Sequence, residues 1–231
     1  MTEALIVAID GPSGVGKSTA ARLLAARLRV PYLETGAMYR ALGLEALERG
    51  VDPDDAGAIA ELLERLDLDA AFTDDGEILV LLDGRDVRPL IRGPEVASAT
   101  SRVSVHPAVR HFMVDLQRRW AGRRGAVVEG RDIGTRVFPE TPFKFFFEAA
   151  PEVRAARRFQ QLREAGTQAV TLPEVERQVR ERDVRDSTRA ESPLRRDASY
   201  VVIDTGLAGP QEVVERMLRA IDERRPAPGR R

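Results

Sequence analysis

Gly11-Pro12-Ser13-Gly14-Val15-Gly16-Lys17-Ser18-Thr19 satisfies the spacing G-x-x-x-x-G-K-[ST] in full. Residues of these types in this order suit one task, holding the phosphates of a nucleotide. Glycines let the backbone curl until successive N–H groups point inward as a nest for phosphate oxygens. A helix starting near Gly16 adds the positive end of its dipole. The Lys17 ammonium would contact the β- and γ-phosphates, and the Ser18 hydroxyl would ligate Mg2+. A plain glycine-rich turn is the competing explanation. The full motif, leaving an apolar run and entering a helical one, argues against it. ATP or GTP binding follows, but the motif alone does not separate kinases from GTPases and motor ATPases.

What surrounds the motif narrows the choice. The only lysines are Lys17 and Lys144; every other basic side chain apart from two histidines is Arg. Genomic base composition explains the bias, yet it leaves Lys17 as a compact ammonium point charge that Arg cannot imitate. After Ala126–Val128 comes Glu129-Gly130-Arg131-Asp132, with no Asp-x-x-Gly switch, and no Asn-Lys-x-Asp guanine motif occurs. Arginines instead crowd the second half of the chain.

The elements that must position these groups alternate. Leu5–Ile9 reads as a buried parallel strand, and Lys17–Arg29 has helical spacing at Ala20, Leu23, Leu24 and Leu28. Tyr32-Leu33 is a short strand, followed by helices over about Ala37–Arg49 and Asp55–Leu66. Ala70–Thr73, Asp74-Asp75-Gly76, Glu77–Leu82 and Asp83-Gly84 then look like a small antiparallel meander inserted in the β-α alternation. Helices over Pro94–Val103 and Pro107–Trp120, strands Ala126–Val128 and Phe143–Phe147, and charged helices Pro151–Glu164 and Pro173–Thr188 follow. Strand Tyr200–Ile203 and helix Gln211–Glu223 complete the series, and the Pro- and Arg-rich end 224–231 reads as disordered.

The expected fold is α/β, an open five-stranded parallel sheet between two helix layers of the P-loop NTPase type. Core segments are expected at 1–36, 122–152 and 193–223. An acceptor-binding region spans 37–121 with its β insertion at 70–103, and a helical lid spans 153–192.

Glu34-Thr35-Gly36-Ala37-Met38-Tyr39-Arg40 opens a helix beside the phosphate loop, with Thr35 as a plausible N-cap and Arg40 as either a phosphate contact or a solvated helix residue. Four segments together carry a resemblance: Ile9-Asp10-Gly11-Pro12-Ser13-Gly14, Gly36-Ala37-Met38-Tyr39-Arg40, Glu129-Gly130-Arg131-Asp132-Ile133-Gly134-Thr135 and Glu181-Arg182-Asp183-Val184-Arg185-Asp186. In this order, over nearly the whole chain, the sequence resembles the bacterial cytidylate kinase family. The family's small β-containing insertion in the monophosphate-binding region matches 70–103.

The resemblance implies that Arg40, Arg131 and Arg189 hold the acceptor's phosphate, where planar guanidinium groups bind bidentately. It implies that Ser101, Arg110 and Asp132 read the base, and that Arg182 and Asp186 bind the sugar. A carboxylate such as Asp132 suits cytosine because it accepts from the exocyclic amine, where uracil presents an oxygen. Asp132 could instead pair with Arg131 at the surface, and Ser101 could be an ordinary helix serine. Two departures stand out: Thr35 occupies a position where serine is commoner, and Glu129 replaces a more familiar aspartate, which weakens any Mg2+-linked role there.

Arginines recur throughout the expected lid, and Arg182, Asp186 and Arg189 at i, i+4 and i+7 would share one helical face. Most of the arginines in this stretch read as a solvated, salt-bridged surface. An RNA-binding strip is disfavoured by interleaved acids and the lack of stacking aromatics. A closing lid that delivers arginines to the phosphates is the functional reading, with Lys17, Arg131, Asp132, Arg182 and Arg189 as the catalytic set.

Bulk properties agree. The 231 residues carry a net charge of −1, which gives no global case for nucleic-acid or anionic membrane partners. Cysteine is absent, excluding thiol chemistry and disulfides. The apolar run Ala4–Ile9 is too short for a signal peptide or membrane span. A cytoplasmic monomer using ATP and Mg2+ to phosphorylate CMP and dCMP is expected. The alternatives are a kinase for UMP or another small phosphate acceptor, and a nucleotide-gated RNA-binding module.

Overall fold

The computed structural model describes residues 4–73, 76, 78–122, 124–164 and 170–225. Five strands form one parallel sheet: β1 (Ile6–Asp10), β2 (Tyr32–Glu34), β6 (Ala126–Gly130), β7 (Phe143–Glu148) and β8 (Val201–Asp204), in the order β2-β6-β1-β7-β8. Central β1 pairs with β6 from Ile6–Ala126 to Asp10–Gly130 and with β7 from Val7–Phe143 to Asp10–Phe146. All the strands therefore end together beside Asp10, and the loops leaving them converge there, where open α/β sheets hold their ligands.

Continuous apolar strands are explained by burial on both faces. Val7, Ile9, Val127, Phe145 and Phe147 pack on one side with α1 (Lys17–Leu28) and α8 (Pro210–Arg224). Ala8, Leu33 and Val128 face the other way, under α2 (Thr35–Glu48) and α5 (Pro107–Gly122). This is the three-layer α/β/α fold of P-loop NTPases.

The meander is present as a separate antiparallel sheet, β3 (Leu68–Phe72), β4 (Ile78–Leu82) and β5 (Arg85–Asp86). It begins two residues earlier than expected, because Leu68 pairs with Leu82. Helices α3 (Ala56–Glu64) and α4 (Pro94–Val103) flank it. Gly43 of α2 lies so close to α4 that a Cβ there would come within 2.9 Å of the Thr100 nitrogen. The helical hairpin α6 (Pro151–Glu164) and α7 (Leu172–Thr188) has an apolar cluster of its own, in which Ala155, Val175 and Val179 pack with Phe159 and Leu162. Asp74 and Asp75 of the expected turn, and most of the tail expected to be disordered (226–231), lie outside the described residues. Among the described residues no helix is long and apolar enough to cross a membrane.

Three local expectations are corrected. Helix α2 starts at Thr35, not Ala37, so Thr35 is its first residue; Glu34 is the N-cap position, with no side-chain cap bond. The Thr35 hydroxyl is drawn off to donate to the Glu129 carbonyl at 2.7 Å. Arg189 does not share a helical face with Arg182 and Asp186. Helix α7 ends at Thr188, and Arg189 is extended at φ −61°, ψ 143°. A bond from the Leu194 amide to the Asp186 carbonyl folds the chain back there. Between β6 and β7 a single π-helical turn, Ile133–Val137, stands where no element was expected.

Candidate active site

The phosphate loop is held by its glycines and its lysine. Gly16 adopts φ 85°, a left-handed conformation that costs other residues, and it caps α1 without a side-chain bond. The first amides of α1 are thus left for an anion. At Gly11 a Cβ would lie 2.5 Å from the Phe147 carbonyl oxygen, so the loop can leave β1 only as glycine. Lys17 Nζ donates to the Gly11 and Pro12 carbonyls at 2.8 and 2.7 Å, spanning the loop's mouth. Burial, then the like charge of Arg131, lowers the Lys17 ammonium to about 7, against the opposing pull of Glu129. A bound phosphate would reverse that shift, because an opposite charge favours the cation. Pro12, Ser13, Gly14, Val15, Ser18 and Thr19 complete the segment, and Val15 is fully buried, its carbonyl accepting from Thr205 Oγ1 at 2.8 Å.

Facing the loop is a cluster of guanidinium groups around one carboxylate. Arg131 Nε donates to Asp186 Oδ2 at 2.8 Å, and Arg189 Nη1 lies 3.7 Å from Asp186 Oδ1. Burial would raise Asp186, but Arg131 and Arg182 outweigh it and hold the carboxyl below its ordinary value. Arg182, from α7, is exposed to solvent. Desolvation within the cleft, followed by the charge of Arg131, still presses it down to about 10, with Arg40 and Arg158 adding to the effect. Arg40 is tied to Glu34 by an ion pair. Arg40 Nε and Arg189 Nη2 are buried without any hydrogen-bond partner. Cations this crowded are unfavourable when empty and become favourable around a polyanion.

Arg110 and Asp132 form a pair, both nearly buried, with Nη1 3.5 Å from Oδ2. The contact is long for a hydrogen bond, and Arg110 Nε has no partner at all. The pair is under-satisfied, which suits a site completed by a ligand. Arg131 and Asp132 do not pair with each other; they point to opposite sides, toward Asp186 and Arg110. Tyr39, which carried no expected role, lies with its ring 5.7 Å from the Arg110 guanidinium carbon. Ser101 is half-buried on α4, and no hydrogen bond joins its hydroxyl to Arg110 or Asp132.

The partners of three further groups escaped sequence reasoning. Asp10 is fully buried and accepts from the Ile133 and Gly134 amides and the Tyr200 hydroxyl, while burial raises its carboxyl to about 6. Glu129 accepts from the Tyr32 hydroxyl, within the field of Lys17. Arg154 reaches across to the Ser13 carbonyl at 3.3 Å and forms a two-pronged bond to Asp183 of α7. Asp10 and Glu129 both lie in the quoted motifs, but nothing in their spacing indicates which side chains they meet.

The profile of the cytidylate kinase family matches residues 7–223. A protein named cytidylate kinase from Syntrophotalea carbinolica is 44% identical over 225 residues, covering 97% of this chain and 94% of the relative. One of the same name from Corynebacterium efficiens is 48% identical over 216 residues, covering 93% of each. A crystal structure of an uncharacterized protein from Eubacterium ventriosum superposes with a TM-score of 0.51 over 96% of this chain and 100% of its own, at 14% identity. That likeness speaks to fold alone.

Proposed function

The chain belongs to the cytidylate kinase family, which makes it a nucleotide-using phosphotransferase, and from that premise we propose that it transfers the γ-phosphoryl group of ATP to CMP and dCMP, releasing ADP and the diphosphate. The observation that carries this reading is the pairing of Asp10 with Gly130 at the ends of neighbouring strands, which sets the phosphate loop that starts at Gly11 beside Arg131. A phosphate held by the loop would then lie beside one held by the arginines, the arrangement that phosphoryl transfer requires.

The loop amides and Lys17 would hold the donor. Arg40, Arg131 and Arg189 would grip the acceptor phosphate, their orphaned nitrogens finding partners there. Ser101, Arg110 and Asp132 would read the base, the Asp132 carboxylate accepting from the cytosine amine, while Arg182 and Asp186 would meet the sugar. An ionised phosphate attacks without help from a general base, so positioning and charge neutralisation supply the rate.

Among the described residues no cluster of three acidic or histidine side chains could hold a metal ion unaided. The hydroxyl of Ser18, in the first turn of α1 directly after Lys17, would ligate an Mg2+ that arrives with the nucleotide and takes most of its ligands from phosphate and water. Bound there, Mg2+ would neutralise charge on the transferred group. The α6–α7 hairpin, with its own small core, would act as the lid that brings Arg182 and Arg189 in and keeps water out.

A coupled ADP-release assay over CMP, dCMP, UMP and AMP tests the assignment. Preference for the two cytidine nucleotides is expected. Ready turnover of UMP or AMP with CMP inert would sink it. No turnover with any of the four, together with salt-sensitive RNA retention, would favour an RNA-binding module.

A further inference from the structure

Asp10 is a fully buried carboxylate with no ion-pair partner among the described residues, an expensive thing to place at the end of a central strand. Three donors converge on it from other elements. Oδ1 accepts from the Ile133 amide at 2.9 Å; Oδ2 accepts from the Gly134 amide and from the Tyr200 hydroxyl, each at 2.8 Å. Those two amides open the π-helical turn Ile133–Val137, whose N-cap position is Asp132.

An aspartate at an N-cap ordinarily folds its own carboxylate over the following amides. Asp132 makes no such bond. Its carboxylate reaches toward Arg110 instead. We infer that Asp10 is a positioning residue for the acceptor site: it caps the turn from the neighbouring strand and so releases the Asp132 carboxylate to read the acceptor base. This rests on the assignment of Asp132 to base recognition made above.

The surroundings hold the arrangement rigid. Gly134 lies against Tyr200, where a Cβ would come within 2.5 Å of the hydroxyl oxygen. Tyr200 in turn packs edge-on to Phe146 at 6.0 Å. Gly130 is equally confined, 2.7 Å separating a would-be Cβ from the Ile133 side chain and 2.8 Å from Thr35 Oγ1. The backbone at Asp132 therefore has one path, and the only open question for its side chain is whether the amides behind it are already satisfied. Asp10 satisfies them. The next residue, Gly11, supplies a carbonyl to Lys17, so the donor loop and the acceptor reader are anchored on adjacent residues.

Asp10→Asn keeps the shape but can accept through only one oxygen, while its amide would face a donor. One turn amide is left unsatisfied, and Asp132 becomes its nearest acceptor. Kinetics with CMP, UMP and ATP varied separately test this. In Asp10→Asn the KM for CMP should rise about tenfold or more and the CMP-over-UMP preference should shrink by a similar factor, with the KM for ATP within about twofold of wild type. Tyr200→Phe, which removes one donor and no backbone contact, should move the CMP values the same way by about threefold. If Asp10→Asn does not fold, Tyr200→Phe decides by the same criteria.

Equal changes in both KM values, or a lower Tm with the CMP and UMP constants intact, would overturn the inference. Asp132→Ala serves as the reference. Should it leave the CMP-over-UMP preference untouched, the base-reading assignment fails and this inference with it. A loss in Asp132→Ala without one in Asp10→Asn defeats the positioning role alone.

Discussion

The donor and acceptor halves of the site are built by opposite means. The phosphate loop is one run of nine residues that offers backbone amides, a single cation and almost no side-chain choice. The acceptor half gathers side chains from α2, α5, the turn after β6, and α7, and pits at least four guanidinium groups against Asp186 and Asp132. The backbone nest keeps its shape when empty, although its one cation, Lys17, is itself pushed down to about 7 there. A ring of arginines is unfavourable when empty: desolvation first, then the charge of a neighbouring guanidinium, lowers both Arg182 and Arg189. The donor half is thus preorganised, whereas the acceptor half is completed by the ligand it binds.

Lys17→Met tests the donor half most severely. Loss of its one cation should lower turnover by about 10³-fold or more, measured as ADP release at saturating CMP. Turnover near wild type would mean that the loop is not the donor site. Next comes the acceptor half: Arg182→Ala or Arg189→Ala should cost about 10²- to 10³-fold in turnover while ATP affinity, read by nucleotide titration, stays within about twofold. Loss of ATP affinity with turnover intact would erase the division between the halves.

A smaller effect should sharpen the comparison within the acceptor half. Asp132→Asn should erode discrimination between CMP and UMP by about 1–3 kcal/mol, roughly 5- to 150-fold in the ratio of kcat/KM values, since the carboxamide can present either a donor or an acceptor.

The smallest effect concerns stability. The Asp10 carboxyl, pushed up to about 6 and facing Tyr200, Asp132 and Lys17, takes up its proton in the folded protein before it would in the unfolded chain. That gain is complete below about pH 4 and lost as pH rises through 6. Asp10→Asn lacks it, so the Tm of the variant minus that of wild type should be larger at pH 8 than at pH 5, by the equivalent of about 2 kcal/mol at most. A difference that does not vary with pH would show that Asp10 does not titrate there.

The same contrast governs what the sequence made legible. The loop could be read because its chemistry is contiguous, and the sheet because buried strands and amphipathic helices alternate. Motifs mark Arg40, Arg131 and Arg182, and the family resemblance implies Arg189, but neither indicates their partners. That Arg131 turns to Asp186 and Asp132 to Arg110 depends on the π-helical turn between β6 and β7, which has no sequence signature of its own. Thr35 was expected to cap a helix and instead bonds across to Glu129, because β2 and β6 are neighbours in the sheet. Arg189 left the helical face assigned to it because α7 stops at Thr188 and the chain doubles back through Ser192, at φ 52°. Such outcomes are fixed by tertiary neighbours, and helical spacing carries no information about them.

Arg154 gives the helical hairpin a mechanical character. Its guanidinium is sealed from water, with hydrogen bonds to Ala149, to Ser13 of the phosphate loop and to Asp183 on α7. Withdrawing Asp183 would strand a buried cation at a cost of about 3–5 kcal/mol. The hairpin is therefore pinned at its root like a lever on a post, and a closure that carries Arg182 inward would turn about that pin. The same guanidinium also grips Ser13, so the root of the lever and the phosphate loop share one anchor.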